Sequence, residues 1–225
     1  MSKTVAIVQA RMGSSRLPGK VLMNLAGRTV LSHVLERCQA IDGVDSVCCA
    51  IPQGVDNDPV ADEAEVAGAI VFRGSENDVL DRYYKAALAL GADVVLRVTS
   101  DCPLIDPAVC ADVLRLRQEE KADFATNNMP PSWPHGLDCE VFTFEWLTRA
   151  ADEATQQEAR EHVGPYVRNH AEARKVNLAS PDASLAGHRW TLDTADDFEI
   201  LTGLFARLPE GSQGWGYQAV LDKQV

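Results

Sequence analysis

The sequence predicts an α/β fold: a three-layer, mostly parallel sheet with helices on both faces. Two observations carry that reading. Strand-like and helix-like segments alternate from the start of the chain, and repeated β-α units of this length imply a parallel sheet covered on both sides. The run at 94–98, apolar but for Arg97, is what a central parallel strand should look like. A length of 225 residues, 46% of them hydrophobic and 24% charged, suits a single domain spanning 1–225 with a subsidiary arm.

The elements follow in order. Residues 4–10 read as the first strand. Val21, Leu22, Leu25 and Val30 lead the apolar pattern onward, and Leu31, Val34, Leu35 and Cys38 make a helical stripe over 29–40. A second strand at 46–51, a short helix at 58–67 and a third strand at 69–72 come next. Ser75, with Asp78 three residues later, spells a capping box. The helix it opens stacks Val79, Tyr83 and Ala87 beside Leu80, Tyr84 and Leu88. After the strand at 94–98, Asp106-Pro107 supplies an N-cap and a first-turn proline for a helix to about residue 118.

The region 126–187 reads differently, as an arm inserted into the α/β domain. Met129-Pro130-Pro131-Ser132-Trp133-Pro134 interrupts regular structure, and 138–142 alternates like a strand. Two helical stretches follow near 145–154 and 156–170. The chain returns through a strand at 175–178 and a segment at 188–192. Thr194 and Asp197 then cap a final helix striped by Phe198, Leu201, Phe205 and Leu208.

Composition narrows the function. A net charge of −12 argues against a nucleic acid polymer, whose phosphates the surplus carboxylates would repel. A mononucleotide remains admissible, because its charge is met locally. The six cysteines (Cys38, Cys48, Cys49, Cys102, Cys110, Cys139) show no C-x-x-C spacing and sit mostly among apolar residues. They read as small buried hydrophobes in a reducing compartment. With no basic n-region ahead of a long apolar stretch and no segment of membrane-span length, the expected setting is cytoplasmic, away from membranes. There is no G-x-S-x-G elbow and no zinc-ligand spacing.

The densest chemistry lies at residues 9–20, Gln-Ala-Arg-Met-Gly-Ser-Ser-Arg-Leu-Pro-Gly-Lys. A strand that empties into a Gly- and Ser-containing loop presents backbone N–H groups to an anion. Arg11, Arg16 and Lys20 add fixed positive charge, so the loop reads as a polyphosphate site. Five residues separate Gly13 from Gly19, and Val21 follows Lys20, so this is not a Walker A loop. The dinucleotide fingerprint G-x-G-x-x-G is absent as well.

A second turn, Arg97-Val-Thr-Ser-Asp101-Cys-Pro-Leu-Ile-Asp106, also follows a strand, and ligands of such sheets bind beyond the strands' carboxyl ends. Asp101 could hold a hard cation against a phosphate, or could cap the turn through its side chain. Thr191-Leu192-Asp193-Thr194-Ala195-Asp196-Asp197 gives another strand-to-helix junction headed by an aspartate. Asp196 and Asp197 suit a helix N-terminus, and Asp106 a cap. In Glu161-His162-Val-Gly-Pro-Tyr166, His162 and Tyr166 are one helical turn apart and could face one pocket. In Gly136-Leu-Asp138-Cys-Glu140-Val-Phe, Asp138 and Glu140 share one strand face, to bind hydroxyls or to meet solvent.

These blocks, in this order, resemble the CMP-sugar synthetases, the acylneuraminate and KDO cytidylyltransferases. Among these the chain looks most like the bacterial relatives named after a spore-coat polysaccharide biosynthesis protein. The resemblance is strongest at 5–22, 97–107, 136–142, 160–170 and 189–199. It implies a nucleotide-diphospho-sugar transferase type of fold. It also implies transfer of a cytidylyl group from CTP to a sugar or sugar acid, with release of pyrophosphate, for surface polysaccharide or glycan synthesis. The alternatives are a glycosyltransferase or another sugar nucleotidyltransferase on this fold, or a non-catalytic nucleotide-binding partner. Carried over residue by residue, Ala10, Arg11, Gly13, Ser14, Ser15, Arg16, Lys20, Arg97 and Ser100 would bind the nucleotide, with Arg11, Arg16 and Lys20 catalytic. Asp101 and Asp193 would hold Mg2+, and Asp138, Glu140, His162 and Tyr166 would meet the sugar. The arm would pair two copies through residues 130–170. Ser100 stands where close relatives commonly have glycine, and 127–134 and 213–217 match no family pattern.

Overall fold

A computed structural model describes residues 2–209, 211 and 214–224. The first strand, β1 (Thr4–Gln9), runs into the cationic loop and a 3₁₀ turn at Lys20–Leu22, then a minimal hairpin, β2 (Asn24–Leu25) and β3 (Arg28–Thr29). There follow α1 (Val30–Gln39), β4 (Ser46–Pro52), α2 (Asp58–Val66), β5 (Ile70–Gly74), α3 (Val79–Leu90), β6 (Val94–Thr99) and α4 (Pro107–Glu119). The later part holds β7 (Phe124–Thr126), β8 (Glu140–Thr143), α5 (Phe144–Glu153), α6 (Gln157–His162) and α7 (Pro165–Asn169). It ends with β9 (Lys175–Asn177), α8 (Ala195–Phe205) and α9 (Tyr217–Leu221).

Seven strands form one sheet in the order β5-β4-β1-β6-β8-β7-β9, parallel except for β8. Alternation along the strands sorts side chains into two layers. Ala6, Val8, Cys49 and Leu96 pack with residues of α1, α2 and α4, such as Val34, Val60 and Val113. Val5, Ile7, Ala50 and Val95 pack with residues of α3 and α5, such as Tyr83 and Leu147. A third apolar cluster gathers Trp190, Leu192, Leu201 and Leu204 with Leu25 and Trp133. The expected three-layer α/β fold is present. All six cysteines are free and buried. Among the described residues, no helix is long and apolar enough to cross a membrane.

Several local readings change. The apolar residues 21–25 do not lead straight into a helix. Gly19, at φ 70, turns the chain into the 3₁₀ segment, and Ala26 and Gly27, at φ 54 and 86, reverse it before α1. The cap of α3 is Asp78, which accepts from the Asp81 amide at 2.9 Å, while Ser75 accepts from Asp78 itself. The helix expected over 156–170 is two short ones, because Val163 adopts φ 66 and Gly164-Pro165 starts afresh. Residues 188–192 form no strand; an isolated bridge joins Arg189 to His135. Strand β7 and helix α9 are not foreshadowed by periodicity. The region 126–187 is woven into the domain, since β8 and β9 belong to the main sheet.

Candidate active site

Strands β1 and β6 are parallel neighbours, with Gln9 paired to Thr99, so the loops that leave them emerge side by side. That adjacency brings the loop at 10–20 against the turn at 100–106. The first loop closes on itself: Gly19 donates to the Met12 carbonyl at 3.1 Å, and Ser14 Oγ accepts from the Leu17 amide at 3.3 Å. Asn57 Oδ1 accepts from the Met12 amide at 3.1 Å. Asp106 caps α4 through the Ala108 and Val109 amides at 2.8 and 3.3 Å. The third piece is pinned to the second, as the Leu192 amide donates to the Asp101 carbonyl at 2.8 Å. A capping box of Thr194 and Asp197 then fixes the start of α8.

Between these segments lies a cleft of about 480 Å³, within the usual range for small-molecule sites. Of the residues singled out in the sequence, Ala10, Arg11, Gly13, Ser14, Ser15, Arg16, Lys20, Ser100, Asp101, His162 and Asp193 line it. Lys20 Nζ lies 3.1 Å from Asp101 and 3.0 Å from Asp193, and Arg16 lies 3.2 Å from Asp193. Burial on its own would raise the Asp193 carboxyl; the Lys20 hydrogen bond and charge, with Arg189 and Arg16, hold it below the ordinary value.

Four singled-out residues lie off the cleft lining. Glu140, 2% exposed, sits between Arg97 at 2.6 Å and Arg168 at 2.5 Å, so its carboxylate is spent on two partly buried guanidinium groups. It does not meet solvent as a polar strand face would. Arg97, instead of reaching for a nucleotide, also donates to Gln9 Oε1 at 3.1 Å. Asp138 accepts from the Gly136 amide and pairs with His135, both at 3.0 Å, in the loop before β8. It therefore does not share a strand face with Glu140. Tyr166 donates to Glu153 and does not join His162 on the cleft, and Val163, at φ 66, breaks the helix between them.

Other lining residues were given no role by the sequence, though Gln9, Thr99 and Glu161 fall within quoted motifs. Gln9 and Thr99 end the two central strands, Glu76 and Asn77 come from the loop before α3, Val79 and Arg82 from its first turn, and Gln157 and Glu161 from α6. Arg82 is 2% exposed and donates to the Ser75 carbonyl at 2.5 Å, while its Nε makes no hydrogen bond among the described residues. Burial lowers its pKa, and the charge of Arg11 adds to that. The available signal was its place one turn into a helix that starts just after a strand's carboxyl end. Helix α6 is held over the opening by Arg160, which grips the α3 cap Asp78 with contacts of 3.0, 3.0 and 2.5 Å.

Comparison with known proteins gives concordant results. A family model described as "Cytidylyltransferase" matches residues 5–201. The chain is 31% identical over 217 residues to the spore coat polysaccharide biosynthesis protein SpsF of Bacillus subtilis, covering 93% of this chain and 89% of that one. It is 36% identical over 118 residues to a 3-deoxy-manno-octulosonate cytidylyltransferase of Anaeromyxobacter, covering 51% of this chain and 47% of that one. A solved cytidylyltransferase from Leptospira borgpetersenii superposes with a TM-score of 0.92 at 29% identity, over 99% of this chain and 93% of that one.

Proposed function

We propose that this chain, which belongs to the cytidylyltransferase family and is a CTP-dependent nucleotidyltransferase, transfers the cytidylyl group to a sugar or sugar acid. The product would be a CMP-sugar for a surface polysaccharide or other glycan. The observation that carries this reading is the meeting of three separate segments on one cleft. A cationic strand-end loop, the Asp101 turn and the Asp193 turn together match the needs of a metal-bound triphosphate. The acceptor hydroxyl oxygen would bond to the α-phosphorus as the bond to the bridging oxygen breaks, and pyrophosphate would leave carrying that electron pair.

Arg11 and Arg16, with the amides around Gly13, Ser14 and Ser15, would hold the phosphates and offset the charge that builds on the leaving pyrophosphate. Ala10 and Ser100 line the same cleft. Arg97 would act indirectly, since it fixes Gln9, a lining residue. The donor set fits a hard divalent ion such as Mg2+, because carboxylates from two different turns already converge on one positive atom, Lys20 Nζ. Asp101 and Asp193 would hold that ion, which when bound neutralises phosphate oxygens and eases loss of the acceptor proton. His162, Glu161 and Gln157, carried by α6, would form the acceptor end. Asp138, Glu140 and Tyr166, assigned to the sugar by resemblance, would serve that end by supporting its framework. Pairing of two copies through 130–170 and a cytoplasmic setting belong to the same reading. They rest on the resemblance and on the buried thiols, and sedimentation velocity tests the pairing.

The deciding experiment incubates the purified chain with Mg2+, each of CTP, UTP, ATP and GTP, and a panel of eight- and nine-carbon sugar acids and neutral sugars. Acceptor-dependent pyrophosphate release confined to CTP is the expected result. Release of a nucleoside phosphate instead would place the chain with glycosyltransferases, and CTP binding without turnover on any acceptor would overturn the sugar assignment.

A further inference from the structure

The most unusual arrangement in the cleft is the position of Lys20. Its ammonium has three N–H donors, and all three are engaged: Asp101 Oδ2 at 3.1 Å, Asp193 Oδ1 at 3.0 Å and the Leu192 carbonyl at 2.6 Å. The side chain is 13% exposed, against 65% for Arg16 on the same loop. Its backbone is set by the left-handed Gly19 and the 3₁₀ turn that Lys20 begins. Held like this, Lys20 has no donor left for a phosphate, in contrast to Arg11, which makes no ion pair among the described residues. The two carboxylates come from turns 92 positions apart in sequence, and Lys20 bridges them directly.

We propose that Lys20 is a built-in stand-in for the divalent ion, and that metal binding is an exchange reaction. The inference rests on the reading of Asp101 and Asp193 as the residues that hold the ion. The ammonium neutralises and spaces the pair while no ion is bound, so the site is formed in advance. A divalent cation shared by the same two carboxylates and an ammonium at the same point repel one another, so the ion enters only as Nζ leaves. The displaced ammonium stays anchored on the phosphate loop, where it gains the free donors that contact with a triphosphate requires. By linkage, whatever draws Lys20 away tightens metal binding, and metal binding readies Lys20 for the nucleotide.

Calorimetric titration with Mn2+, with no nucleotide present, tests this on the wild-type chain and on K20M, each with and without D101N. The expected result is that K20M binds Mn2+ at least about tenfold more tightly than wild type, and that D101N removes the binding in both. Equal or weaker affinity in K20M, with D101N still abolishing binding, overturns the exchange alone. Mn2+ affinity that survives D101N overturns the assignment of the pair as the metal site, while the CTP-dependence of turnover is judged separately by pyrophosphate release. Should K20M not fold by circular dichroism, K20Q takes its place. A measurement on the wild type complements both: the lysine 15Nζ resonance of Lys20, protected by three hydrogen bonds, should lose that protection on Mg2+ addition. A resonance unmoved at saturating Mg2+ overturns the exchange.

Discussion

At one end of the cleft the lining side chains hang from loops that follow β1 and β6; at the other they hang from α6, a six-residue helix kept in place by Arg160 and Asp78. The first end has charge open to solvent: Arg16, though paired with Asp193, is 65% exposed, and Arg11 is also exposed. Behind the second end, charge is directed inward, with Glu140 shared between Arg97 and Arg168 and Tyr166 bound to Glu153. A triphosphate is recognised by backbone amides and fixed cations, which a loop supplies locally. An acceptor is recognised by a few precisely placed groups, and these depend on a buried scaffold. Substitutions at the first end should therefore impair turnover, and substitutions behind the second should impair stability.

Glu140→Ala should give the largest effect. It takes the shared carboxylate from the partly buried Arg97 and Arg168, and loss of one partner from a buried charge cluster costs up to about 3–5 kcal/mol, to be read by urea denaturation. Lys20→Ala or Asp101→Ala should lower turnover by about 10²–10³-fold with the fold intact by circular dichroism. A near-normal rate of pyrophosphate release in either would sink the mechanism. Gly164→Ala sharpens the contrast, since a Cβ there would lie 2.4 Å from Glu140 Oε1 and 3.1 Å from Arg168 Nε. Overpacking of that kind costs about 1–3 kcal/mol, and CTP affinity measured by calorimetry should hardly change. Arg16→Ala is the mirror case: turnover down about tenfold, stability altered by no more than about 0.5 kcal/mol.

The smallest effect is a pH dependence. The Asp138 hydrogen bond raises the His135 pKa above 6.5 despite partial burial. Burial would raise Asp138, yet the His135 and Gly136 hydrogen bonds hold it below 3.8. A raised histidine pKa contributes stability that is full below 6.5 and fades as pH climbs through the folded-state value. A depressed aspartate contributes stability that is full above 3.8 and fades as pH falls through its own value. The pair therefore helps most between those limits. His135 is 57% exposed, so solvent screening keeps the gain small. His135→Ala should narrow the melting-temperature difference from wild type as pH is taken from 5 to 8, and a difference that widens would contradict the assignment.

The same contrast governs what the sequence disclosed. Phosphate-loop chemistry is contiguous, so Arg11, Arg16 and Lys20 could be picked out with their glycines, and Asp101 and Asp193 stood at legible strand or helix ends. The alternation of strands and helices exposed the sheet because each parallel strand of the amino-terminal half is followed by a helix. Sequence alone did not reveal Glu140 as a buried ion. A carboxylate alternating with apolar neighbours looks like a solvated face, and its partners Arg97 and Arg168 are 43 and 28 positions away. Nor did it reveal Arg82 or Gln157 as lining residues, since their helices reach the cleft by tertiary packing. The helix break at Val163 was missed because a β-branched residue at φ 66 is rarely anticipated.

The placement of β8 has an implication for how acceptor preference can change over time. This antiparallel strand lies inside the sheet, hydrogen-bonded to β6 on one side and β7 on the other. Removal of residues 126–187 would pull an interior plank from the sheet and expose β6 as a raw edge. A segment traded into this place must bring its own strand between β6 and β7. If α6 meets the acceptor as proposed, point changes on that helix and its loops leave this floor unbroken.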